Sequence, residues 1–128
     1  MDKIKDMDNF TRAQEDFVEA LLMLEEQGLP LETTKVARLL NVSKPAVHQM
    51  GHELIDKGLI TRKDYGDMTL TDAGRELARK VFNRHKILKQ FLIELGVSED
   101  VAEDDCCKIE HVISEETFEV IRKKIEEK

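Results

Sequence analysis

Residues 34–58 read TKVARLLNVSKPAVHQMGHELIDKG, and their pattern decides the fold. Thr34 caps a short helical stretch over residues 35–40, with Val36, Ala37, Leu39 and Leu40 as its apolar positions. Asn41 and Val42 make a tight turn. Ser43 caps the next helix, with Pro45 in its first turn, where a missing N–H costs little because that donor has no intrahelical acceptor. Val47, Met50, Leu54 and Ile55 point inward, and Gly58 closes the helix. Two helices joined by so short a turn form a helix-turn-helix.

Downstream, LITR (59–62), KDYGD (63–67) and MTL (68–70) read as strand, polar turn and strand, a β-hairpin wing after the second helix. Thr71 caps a long helix over 72–95, stopped by Gly96. Ser98 begins a helix that holds Cys107, Glu110 and His111. Ser114 caps a last helix, whose first turn carries Glu115 and Glu116, favourable to the helix dipole. Upstream, Thr11 and Gln14 form a capping-box signature before a helix with Phe17, Leu21, Leu22 and Leu24 on its apolar side. Gly28, Leu29 and Pro30 end that helix. The expected fold is mainly α: a winged helix-turn-helix DNA-binding domain with a two-stranded wing over 1–74, then a helical metal-binding and dimerisation domain over 75–128.

A chain of 128 residues fits one domain or two small ones. It has no apolar run near 18 residues, which excludes a membrane helix. Residues 1–10, MDKIKDMDNF, lack the apolar core of a signal peptide. The two cysteines are adjacent, so reduced thiols in a cytoplasmic protein are the simplest reading.

The net charge of −7 argues against nucleic-acid binding by the whole surface. The distribution points the other way. Residues 33–63 hold six basic side chains (Lys35, Arg38, Lys44, Lys57, Arg62, Lys63) against Glu53 and Asp56, whereas 99–128 hold eleven acidic against five basic. A DNA reader needs a local positive footprint, not a positive total. The second helix of such a motif enters the major groove N-terminus first. Ser43 and Lys44 can reach phosphates, Gln49 an adenine edge, and Pro45 or Ala46 a thymine methyl. His48 is groove-facing. Lys35 belongs to the basic footprint, and Arg62, Lys63 and Tyr65 of the wing would track the backbone. His48 and His52 have metal-binding spacing, but an ion there would block the reading face. The implied partner is double-stranded DNA at a palindromic operator.

A second pattern flanks the reader. Asp16 and Glu19 are three apart and, alone, read as solvated helix acids. Cys107, Glu110 and His111 share one helix face, and His85 lies in the long helix. Thiolate, carboxylate and imidazole together suit first-row transition metals better than Ca or Mg. Cys106 reads as helix packing.

The matching segments EDFVE (15–19), VSKPAVHQ (42–49), LTDAG (70–74), Arg84 with His85, and CKIEH (107–111) resemble the diphtheria-toxin-repressor family of metal-dependent regulators, which includes the manganese transport regulators. The resemblance runs from about residue 12 to 125. It implies Asp16, Cys107, Glu110 and His111 at the primary metal positions, and Glu19 and His85 where manganese-type members bind a second ion, with Glu110 as bridge. Manganese-type members carry a carboxylate in place of Cys107, and iron-type members a Met in place of Asp16, so the chain is a hybrid. Lys89 stands where the iron-type ancillary site has an acid, and a histidine of that site is replaced near Glu103. The resemblance further implies the short form without an SH3-like domain and a homodimeric repressor of metal-uptake genes. Its effector would be Fe(II) or Mn(II), one or two ions per subunit, with Zn(II), Co(II) or Ni(II) as substitutes in vitro. It implies no membrane, no small organic substrate and no enzymatic activity. Two rival readings are a mononuclear zinc hydrolase, for which no separate base or Gly-rich loop is found, and a metal-blind winged-helix regulator of the multiple-antibiotic-resistance type.

Overall fold

The computed structural model describes residues 10–63 and 66–127. Six helices and one two-stranded sheet follow in the order α1 (Arg12–Glu26), α2 (Thr33–Leu40), α3 (Lys44–Asp56), β1 (Ile60–Arg62), β2 (Met68–Leu70), α4 (Asp72–Glu94), α5 (Glu99–Ile109) and α6 (Glu115–Glu126). The chain forms two compact units that divide within α4, between Arg79 and Lys80. The boundary expected at 74/75 falls in the first turn of the same helix.

In the first unit, α1 begins with a complete capping box. The Thr11 hydroxyl accepts from the Gln14 N–H at 3.1 Å, and the Gln14 side chain accepts from the Thr11 N–H at 3.0 Å. Gln14 is buried and also joins α1 to α3: its amide donates to Glu53 at 3.2 Å, and its oxygen accepts from the Lys57 ammonium at 3.2 Å. One cap residue therefore starts a helix and braces it. Phe17, Val18, Leu21, Val36, Val47, Leu54, Leu59, Ile60 and Leu70 are almost fully buried and supply the core. Burial of side chains this size stabilises by roughly 1.5–3 kcal/mol each.

The helix-turn-helix and wing form as expected, with three local differences. α2 begins at Thr33, and Glu32 occupies its N-cap without a side-chain bond, so Thr34 lies inside the first turn instead of capping it. Ile55, expected to point inward, is 38% exposed, and the apolar position Leu39 of α2 is 45% exposed. A helix packs only one stripe, and Ile55 lies about 100° around α3 from the buried Leu54. The turn itself rests on Asn41, at φ 57°, whose N–H and that of Val42 donate to the carbonyls of Arg38 and Ala37. Asn tolerates this left-handed conformation better than most residues.

Ile60 pairs with Leu70 and Arg62 with Met68 in antiparallel register. Ile60, Met68 and Leu70 are buried while Thr61 and Thr69 face out, the alternation of a half-buried strand pair. Thr71 closes the hairpin onto α4. Its hydroxyl donates to the Gly58 carbonyl at 2.7 Å and accepts from the Gly74 N–H at 3.1 Å. At Gly74 an added Cβ would collide with the Leu59 carbonyl oxygen and press on Leu70, so only glycine lets α4 start this close to the sheet.

The second unit holds the rest of α4 with α5 and α6. Leu88, Cys106 and Phe118 form its buried cluster, flanked by Ile87, Leu92, Ile109, Ile113 and Ile121. α6 starts at Ser114, whose hydroxyl accepts from the Thr117 N–H at 3.1 Å. Ser98 holds the N-cap position of α5 without a side-chain bond. α5 ends at Ile109, so Glu110 is its C-cap and His111 stands in the following turn. These two residues were expected within the helix. The early end points their side chains by turn geometry instead of by helical spacing. Among the described residues no helix is long and apolar enough to cross a membrane.

Candidate DNA-reading surface and metal-donor cluster

In the first unit, Ser43, Lys44, Pro45, Ala46, His48 and Gln49 at the start of α3 are all exposed. Ser43 caps the helix by accepting from the Ala46 N–H at 3.2 Å, which holds that end in order. The exposed Lys44 gives that end a positive charge suited to phosphate. Lys63 is exposed and Lys35 half-buried; Tyr65 lies outside the described residues.

Arg62 has a more specific placement than the sequence indicated. Its Nε donates to the Gly66 carbonyl at 2.8 Å, Nη2 to the Thr33 hydroxyl at 3.2 Å, and Nη1 lies 3.2 Å from His48 Nδ1. It ties the wing to α2 and to the reading helix, and it orients His48 on the reading face. Asp16 and Glu19 sit one turn apart on α1, each half-buried, with Arg12 at 3.9 Å from Asp16.

The second unit gathers donors around His85. Its Nδ1 is 3.1 Å from Glu110 Oε2, and its Nε2 is 2.9 Å from Glu103 Oε2. Cys107 Sγ is 3.7 Å from Nδ1, and Cys106 Sγ lies 3.6 and 3.7 Å from the two ring nitrogens. Glu110 is 2% exposed, and its other oxygen is 3.3 Å from His111 Nε2. One buried carboxylate thus links two imidazoles. The Arg84 guanidinium is also buried. It donates to the Glu110 and Ile113 carbonyls at 3.2 and 3.1 Å and to Glu115 at 2.7 Å, and it packs over the Phe118 ring. This fixes the α5–α6 turn that carries Glu110 and His111.

Charge follows from this crowding. Hydrogen bonding to Glu110, opposed by burial, and the nearby Glu103 push His85 up to about 9. Burial, then the surrounding carboxylates, pushes the Cys106 thiol up to about 11; burial and Glu103 push Cys107 up to about 12. Without an ion the thiols are protonated and the imidazole is charged. An incoming cation must displace those protons. The donor set, sulfur with imidazole and carboxylate, fits a divalent transition metal.

Of the six metal residues expected from the sequence, the second unit brings His85, Cys107, Glu110 and His111 into one region. Sequence reasoning did not include Glu103 or Cys106 among the donors. The signal was present, since Glu103 lies three and four residues before the two cysteines on one helix. Cys106 is also fully buried beside Leu88 and Phe118, so it packs as well as facing His85.

A winged helix-turn-helix joined to a unit with a transition-metal donor cluster defines a metal-dependent transcriptional regulator. The chain belongs to the iron-dependent repressor family: residues 9–68 match its N-terminal DNA-binding domain, and 71–127 its metal-binding and dimerisation domain. An uncharacterized HTH-type transcriptional regulator of Methanocaldococcus jannaschii is 38% identical over 110 residues, 84% of this chain and 88% of that protein. The transcriptional regulator MntR of Escherichia coli is 37% identical over 109 residues, 84% of this chain and 70% of that protein. A manganese-dependent transcriptional repressor in complex with manganese has a similar structure, with TM-score 0.78 and 29% identity over 88% of this chain. The match spans 52% of that repressor, about half its length. The family regulates transcription and does not catalyse reactions.

Proposed function

We propose that the chain is a repressor activated by Mn(II) or Fe(II) that binds a palindromic operator of metal-uptake genes as a homodimer in the cytoplasm. The observation that carries the reading is Glu110, a buried carboxylate between His85 and His111 at 3.1 and 3.3 Å. In this reading the effector's donors are Asp16, Glu19, His85, Cys107, Glu110 and His111, for one or two ions per subunit. The likeness to manganese regulators supports it.

A divalent cation held by these donors would supply positive charge that offsets their carboxylates. Glu110 orients both imidazoles, and Arg84 holds the main chain beneath it. Lys35, Ser43, Lys44 and Lys63, with Tyr65, engage phosphates, while Pro45, Ala46, His48 and Gln49 face base edges. Arg62 keeps His48 and the wing in register. Two copies of α3 must lie about 34–36 Å apart to enter successive major grooves. A coupling of about 1–3 kcal/mol between ion and operator is typical of such a switch.

The test is DNA binding by the purified chain to a palindromic uptake-gene promoter, anaerobically, with Mn(II), Fe(II), Zn(II) or chelator. Binding should appear only with metal, and the ion active at the lowest free concentration names the effector. In vitro affinity order alone would favour other ions, because affinities rise along the first row. Glu110→Gln should lose metal-stimulated binding and keep the dimer. Equal affinity with and without chelator would return the chain to the metal-blind class.

A further inference from the structure

We propose that His85, Glu103, Cys106 and Cys107 form an alternative, thiol-rich site within the second unit for a soft divalent ion of the zinc class. Their donor atoms all lie within 4.8 Å of one another. A tetrahedral ion with metal–sulfur and metal–nitrogen bonds of about 2.3 and 2.0 Å needs donors roughly 3.3–3.8 Å apart. Two pairs already meet this: Cys106 Sγ lies 3.7 Å from His85 Nε2, and Cys107 Sγ 3.5 Å from Glu103 Oε2. The 2.9 Å pair of His85 Nε2 and Glu103 Oε2 must open by a few tenths of an ångström.

The surroundings suit an ion held there. His85 can bind through Nε2 while Nδ1 donates to the buried Glu110, the carboxylate–imidazole pairing that orients metal-binding histidines. Glu103 divides its oxygens. Oε1 takes the Lys89 ammonium at 2.9 Å, and Oε2 turns toward His85 and Cys107. Two thiolates, one carboxylate and a dication leave one net negative charge, which Lys89 offsets. The donors come from two adjacent helices of one unit, so the site needs nothing from the first. Two sulfurs favour zinc-class ions, whereas carboxylate-rich sets favour manganese.

The site shares His85 and Cys107 with the effector set, and only its regulatory consequence rests on that proposed set. An ion held by the four donors withdraws two of the effector's six, so Zn(II) should oppose activation by Mn(II).

The test loads the reduced full chain with Co(II) and measures thiolate-to-metal charge-transfer absorption. Two thiolates per ion are expected. Cys106→Ser should halve the band, and Glu103→Gln should weaken Zn(II) binding by at least about 10-fold, judged against the loss typical of outer ligand partners. Asp16→Ala should leave the band intact while removing Mn(II)-dependent DNA binding, which separates this site from the effector set. Cys106 is a core residue, so cadmium-113 NMR of the unaltered chain provides a count of sulfur ligands that needs no variant. A one-sulfur shift, or a band unchanged in Cys106→Ser, would overturn the proposal.

Discussion

The two units use polar side chains in opposite ways. In the first, the residues at the start of α3 stand exposed on an apolar frame, and bracing is left to Gln14, Arg62 and Thr71. In the second, Arg84 and Glu110 are buried at 5% and 2%, and His85 is pressed between two carboxylates. A surface that reads a duplex must leave its donors solvated until the partner arrives. A pocket for an ion must gather donors and desolvate them beforehand, at a cost in stability. The first unit is therefore specified by packing, the second by a polar interior that packing alone would not hold.

The sharpest way to break this contrast is Arg84→Ala. It leaves the Glu110 and Ile113 carbonyls without their donor, and each unsatisfied buried group costs about 1–3 kcal/mol. We expect the second unit to lose about 3 kcal/mol, read by denaturant unfolding; an unchanged midpoint would show that its apolar cluster suffices. The matching change in the first unit is Gly74→Ala. A Cβ against the Leu59 carbonyl should cost about 1–3 kcal/mol, because backbone yields less easily than a side chain. If calorimetry shows no shift, the contact between α4 and the sheet is looser than described.

On the reading face, Gln49→Ala should relax base discrimination at one operator position by about 1–3 kcal/mol. Lys44→Ala should weaken all sequences alike and lower the salt slope by about 1. Binding titrations across salt and operator variants separate the two effects. Ser43→Ala removes the α3 cap and should destabilise by about 1 kcal/mol in thermal unfolding.

The last test is in pH. In the metal-free chain His85 is raised from 6.5 to about 9. Its contribution to stability is then complete below about pH 6.5 and lost as pH rises through about 9. Unfolding of the metal-free chain should become easier across that window, and His85→Gln should flatten the slope. A slope that persists in the variant would assign the titration elsewhere.

Much of the architecture was legible because it is local. Capping residues Thr11, Ser43, Thr71 and Ser114 each do what their spacing indicated, and the alternation around Ile60 and Leu70 shows the wing. Helical periodicity was less reliable for Leu39 and Ile55, since it marks an apolar stripe without showing how wide a stripe its neighbours cover. The donor types at 107–111 were visible as letters. Their geometry was not, because α5 stops at Ile109 and the Arg84 bonds set the turn beyond it.

The sequence by itself determined a winged helix-turn-helix, a basic reader between acidic ends, and a set of transition-metal donors, because caps, periods and residue chemistry act over a few residues. Only the tertiary structure decided that Arg62 braces the wing instead of standing free, that Glu110 is buried between two imidazoles, and that Glu103 and Cys106 face His85. Those outcomes depend on which side chains meet across helices far apart in the chain, and no local pattern encodes that distance.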